Sequence, residues 1–174
     1  CAGSRTGRLL RGVRAAERAH RAGDDDVAVR RSERGLSLNP DAETYIGLLG
    51  IVTENRLWRN QHDEAAVSGA KLTRVAPPGS APWVRGALAQ FSYAMRNGHI
   101  DEAIALLDVI RSIDPAPEVV ATVSLALSMA TALLLTDGRI ELIEPIQRRL
   151  EAIVRPVAAS DPFATRPATP AAAA

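Results

Sequence analysis

Three histidines are the residues best suited to chemistry in this chain: His20, His62 and His99. Two of them stand beside acids, in His62-Asp63-Glu64 and in His99-Ile100-Asp101-Glu102. Imidazole next to carboxylate suggests a metal ligand set or a general base with its orienting acid. Asp24-Asp25-Asp26 suggests a cation site, but a calcium loop spreads its acids over about twelve positions and closes on a glutamate. Gly3-Ser4-Arg5-Thr6-Gly7-Arg8 lacks the Gly-Lys-Ser/Thr ending of a phosphate loop, and no strand precedes it. No Gly-x-Ser-x-Gly elbow is present, so Ser80 after Gly79 is loop chemistry.

The two histidine clusters recur because the surrounding sequence recurs. Gly23-Asp24-Asp25-Asp26-Val27-Ala28 runs to Pro40, Asn60-Gln61-His62-Asp63-Glu64-Ala65 to Pro77, and Gly98-His99-Ile100-Asp101-Glu102-Ala103 to Pro115. The alanines at 28, 65 and 103 set periods of 37 and 38. A looser fourth copy begins at Gly138, places Ile143 at the alanine position, a period of 40, and has Pro156 as its closing residue. Equivalent turns in neighbouring helix pairs lie about 10 Å apart, one helix diameter. Ligands to one metal must sit about 2 Å from it. The histidines therefore read as surface turn residues; no metal, cofactor or catalytic residue is expected, and the chain reads as no enzyme.

Each part of the unit has a physical role. Gly or Asn permits a left-handed turn between two helices. The acids that follow favour a helix N-terminus. The small alanine allows close helix approach, and the proline follows the helix end because it cannot continue the hydrogen-bond ladder. Ile100, Ala103, Ile104, Leu107, Ile110 and Ile113 recur at helical spacing and form one face. The pattern predicts an all-α chain of about eight helices, near 7–22, 24–36, 41–57, 61–74, 81–96, 99–113, 118–135 and 139–154. They pair into units of about 7–40, 41–78, 81–116 and 118–156, a repeat domain spanning 7–155. Pro145 either falls in the first turn of a late-starting last helix or kinks it. Residues 157–174, rich in Pro and Ala, read as a disordered tail or linker.

The second-helix pattern, Gly98 through Ala103 with Ile113-Asp114-Pro115, resembles the signature of tetratricopeptide repeats. Early in the first helices, where that family carries a large residue, this chain has Leu49 and Leu127 but also Gly12 and Ala87. The resemblance implies antiparallel helix pairs stacked into a TPR-like superhelix that binds a protein or peptide. The stretch from Leu57-Trp58 to Pro82-Trp83 also resembles the repeat tail of large bacterial kinase, ATPase or transcriptional signalling proteins. That resemblance implies a non-catalytic scaffold segment of a larger cytoplasmic protein, with contacts to other domains of its parent among its partners. The expected groove runs along the first helices, with Glu54, Arg56, Gln90 and Asn97 as polar residues. Trp58 and Trp83 either anchor a peptide there or fill space between helix pairs. The alternative is a small-molecule sensor with a cavity of several hundred cubic ångströms, lined by Leu125, Leu127, Met129 and Leu133 of the apolar seventh helix.

Composition fits this reading. The chain of 174 residues balances 21 Lys+Arg against 20 Asp+Glu. Nine arginines and five acids fall in the first 35 residues, but no aromatic lies among them. Nucleic-acid binding wants a basic stripe with stacking aromatics, so it is not expected. No 18-residue uncharged apolar run is present, so no membrane span is expected. Cys1 cannot form an internal disulfide, being the only cysteine. A first residue other than Met suggests a window cut from a longer array, with a lipidated Cys1 as the other reading.

Overall fold

The computed structural model describes residues 18, 19, 22 and 24–160. Seven α-helices lie among them: α1 (Asp25–Leu36), α2 (Ala42–Trp58), α3 (His62–Val75), α4 (Ala81–Arg96), α5 (Ile100–Ser112), α6 (Val120–Thr136) and α7 (Ile143–Ser160). No strand occurs among the described residues. Of the helix expected at 7–22, only Arg18, Ala19 and Ala22 are described; Cys1, His20, Gly23 and residues 161–174 also lie outside.

The sequence repeat appears as a repeated turn. The residues before α1, α3, α5 and a short 3-10 helix (Ile140–Leu142) are Asp24, Gln61, His99 and Arg139. Their φ values are −87°, −85°, −82° and −86°, and their ψ values 72°, 63°, 62° and 60°. Their N–H groups donate at 2.9 Å to the carbonyls of Ala19, Arg56, Ala94 and Leu134, five residues back. Asn60, Gly98 and Gly138 precede three of them with φ of 59°, 72° and 76°. This is the Schellman closure, in which one left-handed residue lets two N–H groups turn back onto the preceding helix. Ala28, Ala65 and Ala103 are fully buried behind the turns, as the helix-contact role requires.

The fourth unit departs for a reason visible in its sequence. An α-helix starting at Ile140 would place Pro145 where its N–H is needed. Instead residues 140–142 form a 3-10 turn and α7 begins at Ile143. Pro145 then sits in the first turn, where no N–H partner is required. Pro156 does not close this helix as expected. α7 runs through it and past residue 154, to Ser160, because one proline removes one ladder bond without forbidding the helical backbone on either side. Pro77 and Pro115 follow helix ends, as expected. Ala76 and Ile113, at ψ 145° and 130°, end α3 and α5 in extended backbone.

Successive helices pack on one another, and α2, α4 and α6 also pack in a row. The most extensive of these contacts is α3 on α4. There Gly69 and Gly86 face each other: a Cβ on Gly69 would lie 2.7 Å from the Gly86 carbonyl oxygen. The main core runs from Leu57 through Phe91, Leu107 and Leu127 to Ile146. A second cluster joins Ala28 to Leu48 and Ile51, and a third joins Leu49 to Leu72. α6 carries no charged residue and has apolar residues on every face, the composition of an enclosed helix. Even so, Ala121, Leu125, Ser128, Ala132 and Leu135 are exposed along one stripe of it.

Candidate functional site

The row of α2, α4 and α6 borders a recess. Leu57 and Trp58 of α2, Val84 and Leu88 of α4, and Leu125 and Met129 of α6 supply its apolar walls. Its volume is about 160 Å³. Val84 is fully buried at the floor, whereas Trp58 and Leu125 keep 51% and 42% of their surface exposed. An indole half open to water costs hydrophobic free energy that a partner side chain would recover. The polar wall is an ion pair between Glu54 of α2 and Arg85 of α4, with Nε to Oε2 at 3.0 Å. The guanidinium lies over Gly50, one turn before Glu54, where a Cβ would meet Arg85 Nη1 at an ordinary contact distance of 3.9 Å.

Of the groove residues expected from sequence, Glu54 and Trp58 meet in this recess. The others lie elsewhere. Arg56 reaches Glu33 of α1 at 2.9 Å, and with the Arg59–Asp26 pair it ties α1 to α2. Gln90 donates to Thr73 Oγ1 and to the Gly86 carbonyl, both at 3.2 Å, against α3. Asn97 caps α4 and donates to the Tyr93 carbonyl at 2.9 Å. Trp83 is half-buried and packs against two of the core clusters, the space-filling role. Of the residues named for a sensor cavity, Leu125 and Met129 line the recess, Leu127 is fully buried in the core, and Leu133 borders a cleft with Met95 and Arg96. Arg85 is the residue that sequence reasoning missed. The signal for it is weak: a cation on the first helix of the next unit, two helical turns out of step with Glu54.

The histidine clusters occupy helix starts, as expected. His99 lies 3.9 Å from Glu102 and meets the Tyr93 ring edge-on at 6.1 Å. His62 is half-buried at the start of α3, and neither ring nitrogen has a hydrogen-bond partner. Burial, reinforced by the nearby Arg96 charge, lowers its pKa from the ordinary histidine value. Asp63 and Glu102 border a trough of about 510 Å³ between α3 and α5, floored by Gln90 and Tyr93. Both are first-turn acids, where the helix dipole favours negative charge. Among the described residues no three His, Cys, Asp or Glu side chains are grouped to hold a metal, and no helix is long and apolar enough to cross a membrane.

No protein-family model, curated protein or solved structure matches the chain.

Proposed function

We propose that this chain is a non-catalytic protein-interaction segment, with the recess on α2, α4 and α6 as the point where a partner peptide inserts one apolar side chain. The observation that carries this reading is the size and placement of the recess. Sites for small ligands and cofactors occupy about 300–1,000 Å³. An apolar cavity of about 150 Å³ takes a benzene-sized group. At about 160 Å³ the recess suits a single leucine, methionine or phenylalanine side chain. That volume weighs against a small-molecule sensor site at this recess. The four equal turns and the row of first helices support a TPR-like stacked array, whose partner surface lies on that row. The resemblance of the Leu57–Trp83 region supports a parent among cytoplasmic bacterial signalling or regulatory proteins.

The test is capture of partner proteins on the full chain, followed by affinity measurement with Trp58→Ala and Leu125→Asp variants. Removing a central aromatic anchor costs about 2 kcal/mol, roughly thirtyfold in affinity. Both variants should weaken binding while leaving far-UV circular dichroism unchanged. Partners held equally by the wild type and both variants would refute this site.

A further inference from the structure

α6 presents an uncovered seam to solvent. Ala121, Leu125, Ser128, Ala132 and Leu135 run along one side of it, all exposed, at spacings of four, three, four and three residues. That spacing keeps one line of side chains facing a partner helix along the whole length. The opposite side of α6, with Val123, Leu127, Ala130 and Leu134, is buried in the core. A surface helix ordinarily carries charge on its outer side. No residue of α6 is charged, and Leu125 and Leu135 keep 42% and 55% of their surface exposed.

The order of sizes along the seam selects its occupant. Turned end for end about Ser128, the seam sets Leu135 opposite Ala121, Leu125 opposite Ala132, and Ser128 opposite itself. Each leucine then meets an alanine, so two such helices can lie at one even spacing without voids. The two Ser128 hydroxyls meet on the axis, where one can donate to the other. A parallel pairing would stack Leu125 on Leu125 and Ala132 on Ala132, holding the helices apart at the leucines and leaving gaps at the alanines. α6 has 17 residues and is about 25 Å long. Trp58, 51% exposed, stands across the recess from Leu125 and flanks the seam. With such flanking side chains two faces would cover roughly 1,000 Å² together, the size at which specific but weak interfaces begin.

We propose that two copies of this chain associate through α6, antiparallel about a twofold axis at Ser128. The same surface serves both copies, as a closed twofold dimer requires. The inference goes beyond the peptide recess. The seam shares Ala121 and Leu125 with the recess wall and continues past it along Ser128, Ala132 and Leu135. The small area sets a weak dimer, with a Kd of about 10 µM, that forms as the chain is concentrated.

The experiment is sedimentation equilibrium of the full chain from about 1 µM to about 200 µM, a range that brackets the expected Kd. The wild type should pass from monomer to dimer across it. Ala132→Leu sets a leucine against the second copy's Leu125 and should weaken the dimer about tenfold or more. Adding Leu125→Ala to that variant restores leucine on alanine at both places and should return the Kd to within about threefold of wild type. Leu135→Asp buries a carboxylate against alanine and should leave the chain monomeric. All three positions are exposed, so circular dichroism should be the same throughout. A wild type that stays monomeric over the whole range overturns the inference. So does growth past the dimer, and so does an Ala132→Leu chain that pairs as tightly as wild type or more tightly, which added apolar surface alone would produce. Any of these failures leaves the peptide site standing, because that site is judged by partner affinity in Trp58→Ala.

Discussion

Replacing Gly69 with alanine should destabilise the protein, while the same change at Gly47 should stabilise it. Both glycines are helical, and alanine is intrinsically better than glycine in a helix by about 1 kcal/mol. At Gly47 a Cβ meets nothing within 4 Å, so the gain is undiminished. At Gly69 a Cβ would lie 2.7 Å from the Gly86 carbonyl oxygen and 3.1 Å from the Ala89 Cβ. A relaxed carbon–oxygen contact is about 3.3 Å or more, so α3 and α4 must part by roughly 0.6 Å. The obstructing atom is backbone and cannot rotate away. Overpacking of this kind costs about 1–3 kcal/mol, and parting the two helices also loosens the side chains beside the crossing. The net effect is a loss of about 1–2 kcal/mol. For a chain of this size that is about 2–8 °C in Tm, against a rise of about 2–4 °C for Gly47→Ala. Thermal and urea unfolding, followed by circular dichroism on both variants, read the signs directly. A Gly69→Ala protein more stable than wild type, with an unchanged urea slope, would refute the close contact as a determinant of how the second and third units meet.

Gly98→Ala meets no neighbouring atom, so its cost comes from the left-handed backbone alone: about 1 kcal/mol, read from the urea midpoint. His62 has a folded pKa below its unfolded value, so its neutral form is the stabilising one. That contribution is present above pH 6.5 and is lost as pH falls through the lowered pKa; unfolding scans of His62→Leu should show a flatter slope in that window. Asp41 accepts the Thr44 N–H at 2.9 Å ahead of α2, and this bond lowers its pKa. Its capping should persist at neutral pH and fade as acid protonates it, so Asp41→Ala should lose stability at about pH 7 and converge with wild type in acid.

The turns were legible because their determinants are local. Asn60, Gly98 and Gly138 permit φ values that other residues resist, and the alanines behind them leave room for a neighbouring helix. The capping positions fixed most helix ends to within a residue or two. Pro156 misled because proline is only a local penalty. Pro145 could be placed in one of two ways, and the 3-10 turn at 140–142 decides between them. The recess was legible only in part. Glu54 and Trp58 follow from the idea of a first-helix face. Arg85 depends on how far α4 slides along α2, and that offset arises from contacts between helices such as the Gly69–Gly86 approach. No single helix encodes it. Gln90 and Asn97 turned to partners near at hand: each bonds a carbonyl one turn back along α4, and Gln90 also reaches Thr73 of α3.

The glycine contact also bears on how the molecule would respond to force. α3 and α4 touch backbone to backbone, whereas α5 and α6 share little surface. Pushed together along the row, α3 and α4 have no long side chain between Gly69 and Gly86 to absorb the shift, so the joint acts as a rigid coupling. Strain would collect at the α5–α6 joint, where α6 is also held through α4. The molecule would then yield as a stiff block of α1 to α5 hinged to the α6–α7 pair, and this hinge adjoins the recess. Moving the last pair would widen or narrow the gap between Trp58 and Leu125, so the shape of the recess would follow the load on the chain.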